Sequence, residues 1–421
     1  MSRIRKQAIR FLLVSFCLLL VSGCTSGTAA SEKTSLIPKS VTPTVIESPQ
    51  AVPTSTPITE KMIAAGIVKH MTLDQKLGQM VIVEFYGSGL NADLQAMVQQ
   101  DAISGVLIEN KNGNAQSREQ LAGLNKGMQG QARVPLLIST DYEGGVVNEL
   151  RQITGEKTSD AVIGQGGDPQ VAYNAGQAAA ADLSGLGLNL NFMPIVDVLT
   201  NASNPGLPQR AFGSSASLVT DMGRAYLKGL TAGGIVGCLK HFPGLGSANV
   251  DPHRSLPTMD RSLNTLNQVD LVPYRTMIQE GIVPMVMVTH ILNPYLDPTL
   301  PTSLSPAVVT GLLRNQLQFQ GVIISDTLWM GGISNTYNLA QAAILAIKAG
   351  TDLILGPRGL GETQTMLRGL LQAVKSGEIS QSQIDASVTR IVLLKLQYKI
   401  ISHQQGLQLA GMLGGSEQRV Q

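Results

Sequence analysis

The sequence predicts an α/β fold, a single (β/α)8 barrel of the TIM type. Three observations carry that reading. From Ile58 onward, strand-like apolar runs alternate with helix-like stretches. The alternation repeats eight times before the chain ends. Polar residues fall at the carboxyl ends of the runs, where a barrel keeps its single central site. A doubly wound open sheet also alternates strand and helix, but it would concentrate its ligands at a topological switch point.

The apolar runs, in order, are Gly78–Phe85, Ser104–Glu109, Pro135–Asp141, Leu188–Asp197, Gly234–His241, Val283–His290, Gly321–Asp326 and Thr351–Gly356. Six of them close on groups able to do chemistry: Glu109, Asp141, Asp197, Lys240 with His241, His290 and Asp326. Between the runs lie periodic segments long enough for helices: Ala92–Gln100, Arg118–Gly130, Pro169–Ser184, Leu218–Thr231, Asn264–Glu280, Pro306–Gln318 and Leu339–Ala349. The barrel is expected over residues 58–400, followed by a tail over 401–421 with no evident function.

Ahead of the barrel, residues 1–23 combine a basic start with an apolar stretch from Phe11 to Val21, the pattern of a secretory signal. That stretch is too short for a typical membrane span. Leu20-Val21-Ser22-Gly23-Cys24 resembles a bacterial lipobox, in which cleavage before the cysteine leaves a thiol that carries lipid. Cys24 would then anchor the chain to the membrane surface through acyl chains, on the extracytoplasmic side. Residues 24–57 are rich in Ser, Thr and Pro without apolar periodicity, so they read as a disordered tether.

The formal charge of +2 includes Arg3, Arg5, Lys6 and Arg10 of the signal, so a mature chain without them carries −2. A nucleic-acid partner is not expected. Of three cysteines, Cys17 leaves with the signal and Cys24 is modified. Cys238 remains as a small buried residue, and no disulfide framework is possible. No His or Cys spacing suits a metal, and there is neither a P-loop nor a dinucleotide-binding glycine motif, so no cofactor is expected.

The densest chemistry lies between Lys240 and Pro257, which holds a lysine, two histidines and an aspartate directly after an apolar run. His253 follows Asp251 by two residues on a loop containing Gly and Pro, which suits a dyad whose carboxylate orients the imidazole. Such an imidazole can give a proton to a leaving oxygen and later take one from water. Lys240 needs a partner, Asp197 or Asp141, or a solvent-filled cleft. Asp326 ends a strand and reads either as a rigid nucleophile or as the cap of the next helix. Trp329, the only tryptophan, closes over a sugar face or fills core. Asp141-Tyr-Glu-Gly-Gly145 sets two carboxylates beside two glycines, letting backbone approach a ligand.

Together these segments resemble the family 3 glycoside hydrolases, in particular the branch of β-N-acetylhexosaminidases acting on bacterial cell-wall fragments. The resemblance spans roughly Ile58 to Ile400. It rests on Lys-His-Phe-Pro-Gly at Lys240–Gly244, Asp-x-His at Asp251–His253 and Ser-Asp-x-Leu-x-Met at Ser325–Met330. Asn-Phe-x-Pro-x-x-Asp-Val at Asn191–Val198, Arg-x-Phe-Gly at Arg210–Gly213 and Ala-Gly-x-Asp-Leu-Ile-Leu at Ala349–Leu355 complete it.

The resemblance implies Asp326 as nucleophile, His253 assisted by Asp251 as general acid/base, and retention by double displacement. It further implies that Asp141, Arg210, Lys240 and His241 bind the N-acetylated sugar of an N-acetylglucosamine-containing glycan. Three positions depart from the family pattern: Leu245 where histidine is usual, Glu149 where arginine is common, and Val146 where many members have arginine. Besides a hydrolase, the sequence leaves open a weakened glycan-binding barrel, a β-glucosidase and a phosphorylase. A transporter-associated binding lipoprotein would show two lobes instead of a closed barrel. Oligomeric state is not assigned.

Overall fold

The computed structural model describes residues 58–413; the expected signal, Cys24 and the expected tether lie outside the described residues. Eight parallel strands form the centre: β1 (Val81–Glu84), β2 (Gly105–Leu107), β3 (Leu137–Thr140), β4 (Leu190–Asn191), β5 (Val236–Phe242), β6 (Met285–Val288), β7 (Val322–Ser325) and β8 (Ile354–Arg358). Sheet order is β8-β1-β2-β3-β4-β5-β6-β7. A parallel bridge from Ile324 to Leu353 joins the two ends. The sheet closes on itself, as predicted, and the open-sheet alternative falls. All eight predicted runs coincide with a strand over most of its length, each buried almost throughout.

Two elements differ from their sequence patterns for identifiable reasons. The run Leu188–Asp197 pairs regularly only at Leu190–Asn191 and rejoins the sheet by a bridge from Ile195 to Lys240. Pro194 between them has no N–H to give to a ladder. The segment Asn264–Glu280 is two helices, Leu263–Gln268 and Val272–Gln279. Pro273 explains the break, since it is tolerated in a first turn but not in a helix interior.

The folded body continues beyond Ile400. Helix His403–Leu409, capped by Ser402, packs on the first helix, Glu60–Lys69; a Cβ at Gly406 would lie 2.9 Å from Ile63. Capping is frequent elsewhere: Thr72 and Asn338 each form a reciprocal box with a glutamine three residues on.

At the amino-terminal end of the barrel, Lys395 from helix Gln381–Gln397 is fully buried. Its ammonium donates to Gln79 Oε1 at 2.9 Å and to the Ser104 carbonyl at 3.0 Å. Burial pushes its pKa down to about 7. The unfolded chain therefore binds more protons than the folded one between about pH 7 and 10.5. Lys395 costs stability in full below that window, and the cost disappears as pH rises through it. Chemical denaturation at pH 7 and 9.5 should show this as a gain on the order of a few kcal/mol in the wild type that Lys395→Met lacks. Parallel behaviour of the two proteins would refute it.

Candidate active site

The carboxyl ends of the strands converge on a cavity of about 220 Å³ lined by Glu109, Lys111, Asp141, Glu143, Glu149, Arg210, Lys240, His241, His253, Asp326 and Trp329, among others. An adjoining recess of about 60 Å³ shares Arg210, His241, His253 and Asp326 and adds Leu245, Asp251 and Met330. Every site residue predicted from the sequence within the described residues lines one or both. Cys24 lies outside them.

One wall is built on charge. Directly after β3 the chain makes a short antiparallel hairpin, Tyr142–Gly144 with Val147–Asn148. Asn191, at the end of β4, fixes it by accepting from Tyr142 N–H at 3.1 Å and donating to Tyr142 O at 3.2 Å. Gly144 and Gly145 turn the hairpin at φ +87° and +56°. A side chain at Gly144 would also meet the Thr158 carbonyl at 2.5 Å, so both conformation and space require glycine.

The hairpin presents Asp141 and Glu143 to the cations opposite. Lys240 Nζ lies 2.5 Å from Asp141 Oδ1 and 2.6 Å from Glu143 Oε1. Arg210 grips Glu143 with two bonds, Nε to Oε2 at 2.7 Å and Nη2 to Oε1 at 2.8 Å. Burial acts to raise the Glu143 pKa, but Arg210 and Lys240 overcome it and bring the carboxyl down to about 2. Burial acts to lower the pKa of Lys240, and Asp141 and Glu143 reverse that, so the ammonium is held protonated. Glu143, the second carboxylate of the Asp141–Gly145 segment, is not among the residues to which the resemblance assigns sugar binding. The available signal was its i, i+2 spacing from Asp141, which puts both carboxylates on one side of an extended chain.

Lys240 pairs with Asp141 as one of the two partners foreseen. Asp197, the other, serves His241 instead. Its Oδ2 lies 2.6 Å from His241 Nδ1, and its Oδ1 accepts the Leu245 N–H at 2.6 Å. Consecutive Lys240 and His241 both face the cavity. Leu245, a departure from the family pattern, is 5% exposed and holds Asp197 through its backbone, a contact any side chain there permits.

Asp326 leaves β7 and is held by backbone and side chain. Oδ1 accepts the Thr327 N–H at 2.8 Å, and Thr289 Oγ1 donates to Oδ2 at 3.3 Å. Burial acts to raise its pKa; the imidazoles of His290, His241 and His253 oppose this and hold it below the ordinary carboxylate value. His290 is fully buried between Ser303 Oγ at 2.7 Å and the Thr327 carbonyl at 3.1 Å. Burial acts to lower its pKa and the Asp326 carboxylate opposes this; facing a carbonyl that can only accept, Nε2–H donates to Thr327 O. It props the loop that carries Asp326.

On the loop after β5, His253 Nδ1 lies 2.7 Å from Asp251 Oδ1, and that oxygen also accepts the His253 N–H at 2.9 Å. Burial would raise the Asp251 pKa, but the bonds from His253 bring it down. The dyad leaves His253 Nε2 as the nitrogen available to a substrate.

The wall opposite Lys240 joins Glu84 from β1, Glu109 after β2, and Trp329. Trp329 Nε1 donates to Glu84, and Asn112 Nδ2 bridges Glu109 at 2.8 Å and Glu84 at 3.3 Å. Burial, then the Glu84 carboxylate, push Glu109 up to about 8. Lys111 lies 2.7 Å from Glu109 and 4.7 Å from the Trp329 ring centre. Glu149, the charge-reversed departure, accepts the Asn110 N–H at 2.7 Å and leaves the Glu143–Arg210–Lys240 contacts complete.

A family model, the glycosyl hydrolase family 3 N-terminal domain, matches residues 72–394. The chain belongs to glycoside hydrolase family 3. Among curated members, "Beta-hexosaminidase LpqI" of Mycobacterium tuberculosis is 33% identical over 79% of this chain and 84% of its own length. "Beta-hexosaminidase A" of Pseudoalteromonas piscicida is 31% identical over 77% of this chain, which spans only 61% of that relative's length. Among solved family 3 structures, a β-N-acetylglucosaminidase from Paenibacillus sp. superposes with a TM-score of 0.75 at 34% identity, covering 81% of this chain and 68% of the other.

Proposed function

We propose that this protein is a retaining β-N-acetylhexosaminidase that removes terminal β-linked N-acetylglucosamine from cell-wall or chitin-type glycans. The observation that carries the reading is the meeting of three groups in one cavity: a carboxylate fixed at a strand end, an imidazole–carboxylate dyad, and the Asp141–Lys240–Glu143–Arg210 cluster. The hexosaminidase names of its relatives support the same activity.

In the first step an Asp326 oxygen attacks the anomeric carbon while His253 Nε2 gives its proton to the departing glycosidic oxygen, leaving a glycosyl ester on Asp326. In the second, His253 Nε2 takes a proton from water, whose oxygen attacks the same carbon and releases Asp326. Asp251 holds the ring by Nδ1 and stabilises its cationic form. Asp141, Arg210, Lys240 and His241 bind the sugar; Lys240 and Arg210 supply donors for its hydroxyl and N-acetyl oxygens. No metal or organic cofactor enters these steps.

A lipid on Cys24 would hold the enzyme at the outer face of a bacterial cell membrane, with residues 24–57 as the tether. Mass spectrometry of the membrane fraction would detect the acylated cysteine.

The activity is tested with p-nitrophenyl glycosides and the protein lacking residues 1–57. The expected result is turnover of the N-acetyl-β-D-glucosaminide well above that of the β-D-glucoside. The reverse order would make it a β-glucosidase, phosphate-dependent release a phosphorylase, and no turnover by folded protein a glycan-binding barrel.

A further inference from the structure

The acid/base histidine sits at the exposed tip of its loop, with the His253 side chain 57% exposed. Among the hydrogen bonds that hold the loop, those at its root and its tip flank the dyad. At its root, Asn204 Nδ2 donates to Leu245 O at 2.9 Å and Ala248 O at 3.1 Å, and Asn201 Nδ2 donates to Ala248 O at 3.0 Å. At its tip, the carbonyls of three consecutive residues meet the short helix Gly331–Ser334, which begins just past Asp326. Gly331 N–H donates to His253 O at 3.1 Å, Gly332 N–H to Pro252 O at 3.0 Å, and Asn335 Nδ2 to Arg254 O at 3.3 Å.

The approach demands glycine at Gly331 and is tight at Gly332. A Cβ at Gly331 would lie 2.4 Å from Arg254 O and 3.0 Å from His253 O, and one at Gly332 would lie 3.2 Å from Pro252 O. Neither glycine has a positive φ, so the backbone of the helix would accept alanine. The conflict falls on the dyad loop alone.

We propose that Gly331, Gly332 and Asn335 are positioning residues that seat the dyad loop, so that His253 and Asp326 are both registered to one helix–loop unit. This rests on the roles assigned above to those two residues. The first turn of a helix leaves its N–H groups without partners inside the helix. Here two of them grip the carbonyls on either side of the His253 Cα. The imidazole thereby keeps its distance from the nucleophile although solvent covers much of it.

The test uses leaving groups of different basicity. A dinitrophenolate departs without a proton, whereas the sugar alcohol of chitobiose needs one, so loss of acid assistance shows only on the second substrate. Gly331→Ala is expected to lower kcat/KM for chitobiose about tenfold or more while kcat/KM for the dinitrophenyl N-acetyl-β-D-glucosaminide changes far less. Asn335→Ala introduces no clash and should shift the ratio in the same direction by a smaller factor. In a His253→Ala background, Gly331→Ala should add nothing on chitobiose. Equal losses on both substrates, or no loss in either variant, would overturn the seat alone if His253→Ala still shows the leaving-group dependence. Were His253→Ala to lack that dependence, the assignment of the acid/base would fall, and the seat with it.

Discussion

Asp326→Asn is expected to reduce turnover of an aryl N-acetyl-β-D-glucosaminide by about four orders of magnitude or more in a protein that still folds. The amide keeps both local bonds: its oxygen can accept the Thr327 N–H, and its NH2 can meet the Thr289 hydroxyl, now as donor. What it loses is the negative charge that attacks the anomeric carbon. In the wild type that charge is secure, because neighbouring imidazoles outweigh the effect of burial and hold the carboxyl below its ordinary value. A fluorinated glycoside that deactivates the second step should leave a sugar covalently attached to the peptide carrying Asp326, and to no peptide in the variant. Unimpaired turnover by Asp326→Asn would remove it from the chemistry.

Glu143→Gln should be the most destabilising single change in the site. Glu143 is almost completely buried between Arg210 and Lys240. Removing its charge leaves two buried cations with Asp141 alone, and breaking one partner of such a group costs about 3–5 kcal/mol. At roughly 2 °C per kcal/mol for a domain of this size, thermal melting should fall by about 5–10 °C. The Glu143 pKa drops from an ordinary 4.5 to about 2 in the folded chain. Its contribution is therefore fully present above pH 4.5 and lost as pH falls through about 2. The gap between the two proteins should narrow across that interval. A gap constant from pH 6 to pH 2.5 would mean that Glu143 holds the wall by packing and not by charge. KM should rise as well, because Lys240 and Arg210 lose the carboxylate that aims them.

The barrel was legible because its strands are short apolar runs and its helices are periodic. The eight runs, and the carboxyl-end placement of Asp141, Lys240, His241 and Asp326, follow from those local patterns. The dyad was legible as well: two residues' separation on a loop is enough for one carboxylate to reach both the backbone and the ring of His253.

Pairings between distant segments were not legible. Whether Asp141 or Asp197 would meet Lys240 depends on how β3, β4 and β5 lie side by side, and Asn191 fixes that by clamping the hairpin after β3. Glu143 reads in the sequence as one more acid beside two glycines; only the return of Arg210 from the loop after β4 makes it the centre of the charged wall. Leu245 reads as a lost polar group until its N–H is seen to serve Asp197. Nothing local to Gly331 and Gly332 shows that the loop from β5 descends on them. The order of strands and helices follows from interactions within about ten residues of chain, where propensity and periodicity act. Ion pairs and close backbone approaches depend on which strands become neighbours when the barrel closes, and that closure is a property of the whole chain.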